Sequence, residues 1–81
     1  MPARPLTKLQ QDAMDALDAH AGKTVDVLTS YYETGVDPKI LQRAVARILP
    51  ATLRGLEARG CIKIKATFWR AARITVLKAR K

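Results

Sequence analysis

The chain has 81 residues, enough for one small domain with a modest core. Its hydrophobic share of 48% argues against a disordered chain, and its apolar runs are too short to cross a membrane. A single cysteine, Cys61, predicts neither an internal disulfide nor a cysteine-based metal cluster, and no secretory segment follows Met1, so we expect a cytoplasmic protein.

Positive charge is concentrated in the second half of the chain. The net charge is +8 and the isoelectric point is about 10.3. Residues 1–37 contain three basic and six acidic residues, whereas residues 38–81 contain twelve basic residues and one acidic residue. This division favours a polyanionic partner over a surface that is merely solvated.

Helical spacing of apolar residues predicts a first helix over 6–21. Gly22 follows as the residue that ends it, because glycine readily adopts the left-handed conformation common at that position. The residues expected on the buried side are Leu6, Leu9, Ala13, Leu17 and Ala21, with Met14 and Ala16 at the margin of the stripe.

The segment 24–33 admits two interpretations. Thr24 can cap a short helix that turns Val25, Leu28 and Tyr32 inward. The β-branched residues of the segment equally favour an extended start. Both interpretations remain open from the sequence.

Asp37 and Pro38 mark the start of the next helix, as its N-cap and first helical residue. Helical periodicity continues from there to Gly60, but the apolar stripe changes direction beside Pro50. A proline inside a helix removes a hydrogen bond and clashes with the preceding turn. We therefore predict two helices, over 38–47 and 50–59, with one bent helix over 38–59 as the alternative.

Strand periodicity replaces helical periodicity after Gly60. Isoleucine and lysine alternate over 62–65, and polar and apolar residues alternate again over 73–76. The pattern predicts a two-stranded hairpin over 61–79 whose apolar face packs on the helices. The predicted fold class is therefore α+β, with helices followed by a C-terminal β-hairpin.

In the stretch LPATLRGLEARGCIKI, six residues stand in a pattern that resembles the winged helix-turn-helix family: Leu53, Leu56, Glu57, Gly60, Cys61 and Ile62. In that family a leucine-x-x-leucine-glutamate-x-x-glycine pattern commonly ends the recognition helix, and two apolar residues open the wing. The stretch PLTKLQQDAMDAL is also similar to the first helix of such domains. The resemblance implies one winged-helix domain over 1–81, with 50–59 as the recognition helix and 61–79 as the wing.

A second register is open within the same family. Gly35 and Val36 resemble the turn of a helix-turn-helix. That register would make 24–33 the supporting helix and 38–59 one bent recognition helix. The break expected at Pro50 favours the first register.

The candidate DNA-binding residues are basic or small side chains at positions suited to a duplex. Basic residues at i, i+4 and i+8 form a ladder along 38–47 that can follow a phosphate backbone. The first turn of 50–59 can approach bases and phosphates, and the hairpin can reach an adjacent phosphate or a minor groove. The full set is Lys39, Arg43, Arg47, Ala51, Thr52, Arg54, Lys63, Lys65, Arg70 and Arg73, with Lys78, Arg80 and Lys81 as a basic tail.

Two aromatic pairs accompany these residues. Adjacent strand residues face opposite ways, so one of Phe68 and Trp69 is expected in the core and the other on the surface. For Trp69 alone, packing against an arginine or a second subunit is the favoured interpretation. Tyr32 is expected in the core, and Tyr31 on the surface or in a contact with a second subunit.

These features predict a small transcriptional regulator of the cytoplasmic nucleoid that binds double-stranded DNA sequence-specifically, with a homodimer formed through the first helix or the hairpin. The alternatives are a winged-helix module that docks on an acidic protein, and non-specific nucleic-acid or RNA binding. No nucleophile–base pair, metal-ligand set or glycine-rich phosphate loop occurs in the sequence. We therefore expect no enzymatic activity, cofactor, metal, membrane association or small-molecule substrate.

Overall fold

The computed structural model describes residues 6–77 and shows a small α+β fold, as predicted. Its elements are α1 (Lys8–Leu17), a 3₁₀ turn (Asp18–His20), β1 (Thr24–Leu28), α2 (Pro38–Arg43), α3 (Pro50–Ala58), β2 (Ile62–Phe68) and β3 (Ala71–Val76). The three strands form one antiparallel sheet in the order β1-β3-β2. The predicted basic tail (Lys78, Arg80 and Lys81) lies outside the described residues.

α1 begins at a capping box. The Thr7 side chain accepts a hydrogen bond from the Gln10 N–H (3.2 Å), and the Gln10 side chain accepts one from the Thr7 N–H (3.0 Å). Where one helix over 6–21 was predicted, the regular helix ends at Leu17 and continues as the tighter 3₁₀ turn. Local hydrogen bonding therefore sets the start of the helix at Lys8, two residues after the predicted start at residue 6.

The buried side of α1 is rotated from the predicted stripe. Met14 is fully buried, whereas Leu9 is 68% exposed. At about 100° per residue, Met14 lies about 60° to one side of the buried Leu17, and Leu9 lies about 80° to the other. The core therefore includes Met14 and leaves Leu9 at its edge.

Of the two interpretations of 24–33, the extended one holds for β1, and no helix forms there. β1 pairs with β3 along its whole length, from Thr24 opposite Thr75 to Leu28 opposite Ala71. β3 is therefore the central strand of the sheet. The segment after β1 is a loop, so Tyr32 is 71% exposed, which corrects the prediction that it lies in the core.

α2 is shorter than the helix predicted over 38–47. Asp37 caps it by accepting a hydrogen bond from the Lys39 N–H (2.8 Å), and Pro38 occupies the first turn. The helix ends at Arg43 because Ala44 takes an extended conformation. The helix ends early because the residues that follow form backbone hydrogen bonds with β1.

The connection between α2 and α3 runs parallel to β1 along its outer edge. The Val45 N–H donates to the Asp26 carbonyl (3.0 Å), and the Ile48 N–H donates to the Leu28 carbonyl (2.7 Å). These bonds satisfy backbone groups that an edge strand would otherwise leave unpaired. A helix continued through this segment would lose them, so the alternative of one bent helix over 38–59 is wrong.

Helices pack on both faces of the sheet. The main core lies between the sheet and the helices α1 and α3, and it contains Val27 and Ala72. A second, smaller core contains their strand neighbours Leu28 and Ala71, with Val36 and apolar residues of α2. Because adjacent strand residues point to opposite faces, α2 lies on the other face of the sheet from α1 and α3.

Met14 and Leu9 provide a test of this packing within one helix. We expect Met14→Ala to lower the free energy of unfolding by about 2–5 kcal/mol, because it removes a fully buried side chain. Leu9→Ala is the matched control, and its effect should stay within about 0.5 kcal/mol because that side chain is mostly exposed. Urea denaturation followed by circular dichroism measures both. Equal losses would contradict the orientation of α1.

Candidate nucleic-acid interface

The structure distributes the predicted binding residues over both faces of the sheet. Lys39 and Arg43 belong to α2 on one face, whereas the three predicted residues of α3 belong to the other. Two further arginines, Arg47 and Arg73, form ion pairs with acidic residues. The predicted set therefore does not act as one surface, and its members differ in the charge they can offer to a ligand.

Arg73 is held on the sheet by a buried carboxylate. Its Nε donates to Oδ1 of Asp26 (3.0 Å), its partner across the β1–β3 pair, and its guanidinium carbon lies 5.4 Å from the centre of the Phe68 ring. Asp26 is only 5% exposed, so its charge depends on Arg73 for compensation. Arg73 therefore contributes to the fold, and the carboxylate of Asp26 already compensates its charge.

Arg47 lies outside α2, so the predicted ladder of Lys39, Arg43 and Arg47 does not form. The Arg47 guanidinium instead donates a hydrogen bond to the carboxylate of Glu33, in the loop after β1. Both side chains are partly exposed. The pair links this loop to the connection between α2 and α3.

β2 and β3 form a hairpin whose tip is the turn at Trp69 and Arg70. Near this tip, α3 and the hairpin enclose a groove of about 200 Å³. Arg54 is the basic residue that lines it, and the other lining residues are Thr29, Pro50, Leu53, Ile64, Thr67, Phe68, Ala71 and Ala72. Arg54 is exposed, and it has no acidic partner among residues 6–77. The structure therefore brings one uncompensated arginine of α3 and the hairpin to the same surface.

The first turn of α3 has backbone amides without a side-chain cap. The N-cap residue is Leu49, which provides no side-chain hydrogen bond to them. Ala51 is exposed and lies three residues before Arg54, so the two share one side of the helix. Thr52 faces a different groove, of about 380 Å³, beside α1. Of the two predicted first-turn residues, Ala51 is thus the one near Arg54.

β2 contributes two exposed lysines. Lys63 lies opposite Thr75 of β3. Lys65 has no partner on β3, because a bulge shifts the register between Ile64 and Ala66. Neither lysine has an acidic partner within the described part of the chain, so both charges are available at the surface.

The tip of the hairpin is tied to the loop after β1. Arg70 has a φ of +59°, a left-handed conformation that costs a non-glycine residue about 1 kcal/mol. Its guanidinium carbon lies 5.1 Å from the centre of the Trp69 ring and 5.6 Å from that of Tyr32, within range of cation–π attraction. Its carbonyl accepts a hydrogen bond from the Thr29 N–H (2.9 Å). The tip therefore does not project freely.

Trp69 also packs against Gly35. A Cβ placed on Gly35 would lie 2.9 Å from Nε1 of the indole, and Gly35 has a φ of +85°. Both the space and the backbone conformation require glycine at this position. The indole of Trp69 therefore packs closely on the loop at a position that has no side chain.

The aromatic pairs are more exposed than the sequence predicted. Tyr31, Tyr32 and Trp69 are 72%, 71% and 66% exposed, and Phe68 is 38% exposed. The expectation that one of Phe68 and Trp69 lies in the core was wrong, because Trp69 belongs to the turn and Phe68 is only partly covered. Trp69 does contact an arginine, as expected. Sequence reasoning missed that Tyr32 joins it, since the contact depends on the fold of the loop.

Within residues 6–77, no cluster of histidine, cysteine and acidic side chains is arranged to hold a metal ion. None of the helices in that range has the length and hydrophobicity that a bilayer crossing requires. We compared the chain with protein-family models, curated proteins and solved structures, and none of them matches it.

The two ion pairs give a prediction about stability. Asp26→Ala should lower the free energy of unfolding by about 2 kcal/mol or more, because it removes a buried carboxylate and its hydrogen bond to Arg73. Glu33→Ala, which removes the exposed partner of Arg47, should cost less than about 1 kcal/mol. Thermal unfolding of both variants measures the difference. A larger loss for Glu33→Ala would contradict the structural role given to Arg73.

Proposed function

We propose that the protein binds double-stranded DNA through α3 and the β-hairpin, as a small transcriptional regulator of the winged helix-turn-helix kind. The observation that carries the proposal is the groove between these two elements, which is lined by Arg54 and by no acidic residue. An exposed helix fits the major groove of a duplex, and a neighbouring hairpin can reach the adjacent phosphates.

The order of the elements supports this proposal. α1 and α3 contribute to one core on the same face of the sheet, and α3 leads directly into the hairpin through Gly60. α2 departs from the helix-turn-helix pattern, because the connection over 44–49 is longer than the usual three or four residues and α2 packs on the opposite face of the sheet. In our proposal α3 is the recognition helix because it is the helix that adjoins the hairpin.

Each element has a separate role in the proposed complex. Ala51 and Arg54 lie on the exposed side of α3, where an arginine can donate two hydrogen bonds to a guanine edge. Lys65, exposed at the bulge of β2, would contact a phosphate, whereas Lys63 faces the side of the sheet opposite α3. Arg47 and Arg73 have acidic partners and are left out of the interface.

Selection of random duplexes by the purified protein, followed by sequencing, tests the proposal. Enrichment of one motif supports specific readout, and a two-fold symmetric motif indicates a homodimer on paired half-sites. Equal recovery of all sequences indicates non-specific binding to DNA. Recovery of no duplex at physiological salt overturns the proposal and leaves an acidic protein or RNA as the partner.

Two arginines distinguish α3 from α2 as the recognition helix. Arg54→Glu should weaken duplex binding at least about tenfold, because it removes a base or phosphate contact and places a like charge against DNA. Arg43→Glu changes the charge equally on α2 and should weaken binding less than about threefold, because exposed charges are screened by salt. Fluorescence anisotropy of a labelled duplex measures both. Equal losses would move the interface toward α2.

The salt dependence of binding tests the role of the lysines. The logarithm of the association constant should fall by about 0.9 for each phosphate contact per logarithmic unit of salt. Lys65→Ala should reduce that slope by about 1, whereas Lys8→Ala on α1 should leave it unchanged. A slope near zero for the unmodified protein would contradict a phosphate-binding interface.

A further inference from the structure

We infer that the side chains of Tyr32, Trp69 and Arg70, here called the Arg70 stack, bind a single-stranded stretch of nucleic acid by stacking on its unpaired bases. The inference rests on the proposed function in one respect, that the ligand is a nucleic acid. It concerns a different surface from the groove between α3 and the hairpin, here called the Arg54 groove. Experiments can therefore refute either proposal without refuting the other.

The rings of the Arg70 stack are accessible to a ligand. The guanidinium carbon of Arg70 lies 5.1 Å from the centre of one ring and 5.6 Å from the other. Tyr32 and Trp69 nevertheless remain 71% and 66% exposed. Large aromatic surface in water is unfavourable unless something covers it. The stack therefore offers ring surface that a planar partner can occupy.

The stack is also held in place before any ligand binds. The hydrogen bond from the Thr29 N–H to the Arg70 carbonyl joins the hairpin tip to the loop that contains Tyr32. The contact of Trp69 with Gly35 adds a second link to the same loop. Rings fixed in this way lose little conformational entropy on binding, which favours a binding role.

The backbone at Arg70 supports a role for its side chain. Its φ of +59° is one that glycine adopts without penalty and arginine does not. Backbone conformations of this kind are concentrated at functional sites. An arginine at this position places a planar cation near two rings, which a glycine would not do. The contacts of the Arg70 side chain therefore explain why arginine occupies this position, whereas the turn alone would favour glycine.

The charge of residues 38–81 favours a nucleic acid over a protein as the occupant. Exposed Tyr, Trp and Arg side chains are also common in protein interfaces. Here, however, the stack itself contains the basic Arg70, Lys65 precedes Trp69 by four residues on β2, and residues 38–81 contain twelve basic residues against one acidic residue. A polynucleotide combines phosphates with planar rings, and basic surfaces with aromatic platforms are typical of single-strand binding.

Unpaired bases suit this surface better than a duplex does. In a duplex the faces of the bases are covered by their neighbours, so an exposed ring finds no free face to contact. In a single strand each base has an available face, and base–aromatic stacking tolerates any sequence. The Arg54 groove and the Arg70 stack would thus bind different forms of nucleic acid.

The single tryptophan makes this inference directly measurable. Trp69 is the only tryptophan in the chain, so its fluorescence reports on the Arg70 stack alone. The probe is a thymidine oligomer of about ten nucleotides, which lies within the range bound by known single-strand folds. Titration into the full chain should quench the emission in a saturable way. A blunt duplex at the same concentration should quench it much less.

Tyr32 and Tyr31 give a matched pair of variants. Tyr32→Ala should weaken binding of the oligomer on the order of tenfold, because it removes one stacking surface. Tyr32→Phe keeps the ring and should retain the affinity. Tyr31→Ala removes an equally exposed tyrosine that lines the groove beside α1, and it should leave quenching unchanged.

Arg70→Gly separates binding from folding. The substitution removes the unfavourable backbone conformation together with the two ring contacts, so the melting temperature should change little. Affinity for the oligomer should fall on the order of tenfold. A large loss of stability together with unchanged affinity would show that Arg70 serves only the fold, and would overturn its proposed role.

Three outcomes overturn the inference. One is no quenching by the oligomer, and another is quenching that Tyr32→Ala does not weaken. The third is self-association of the protein that Tyr32→Ala abolishes, which would identify the stack as an interface between two copies of the chain. Binding of a labelled blunt duplex, followed by anisotropy, is measured in parallel. Loss of quenching with duplex binding retained refutes the stack alone, and the reverse result refutes the Arg54 groove alone.

Discussion

The pairing of β1 with β3 is the contact on which the rest of this fold depends. It joins residues 24–28 to residues 71–76 and makes β3 the central strand. The small side chains of Ala71 and Ala72 allow both faces of β3 to be covered, one by α2 and the other by the main core. Without this pairing the hairpin would be an isolated two-stranded ribbon, which is marginal in water. It also gives the connection between α2 and α3 an edge to pair with.

The same pairing divides the basic residues into two groups. Arg73 faces Asp26 across β1 and β3, and Arg47 is brought beside Glu33 when the connection follows β1. Both acids come from the acidic part of the chain, so part of the charge asymmetry is cancelled within the molecule. The basic side chains on α3 and β2 that are exposed without an acidic partner are Arg54, Lys63 and Lys65, and α3 also carries Glu57, whose carboxylate accepts a hydrogen bond from the Ile64 N–H. The total of 15 basic residues therefore overstates the number of basic side chains that a ligand can contact.

At the hairpin tip, contacts with neighbouring residues offset an unfavourable backbone conformation. A left-handed arginine is unfavourable by itself. Beside Tyr32 and Trp69 its side chain gains two aromatic contacts, and beside Thr29 its carbonyl gains a backbone partner. A hairpin that is tied down in this way is less able to bend into a groove than a free ribbon. It is better suited to present fixed rings, which is why the two proposed surfaces differ in the ligand that they would bind.

By itself, the sequence determined the features that depend on a few neighbouring residues. The starts of α2 and α3 follow from Asp37-Pro38 and from Pro50, and the alternation after Gly60 indicates the hairpin strands, because capping, proline geometry and strand periodicity are local effects. Tertiary structure decided whether residues 24–28 became helix or strand, where α2 ended, and which arginines have a carboxylate beside them that compensates their charge. Those outcomes depend on a partner strand or carboxylate far along the chain, and one-dimensional periodicity holds no information about such a partner. The Arg70 stack belongs to this second group, since Tyr32 and Arg70 meet only after β1 has paired with β3.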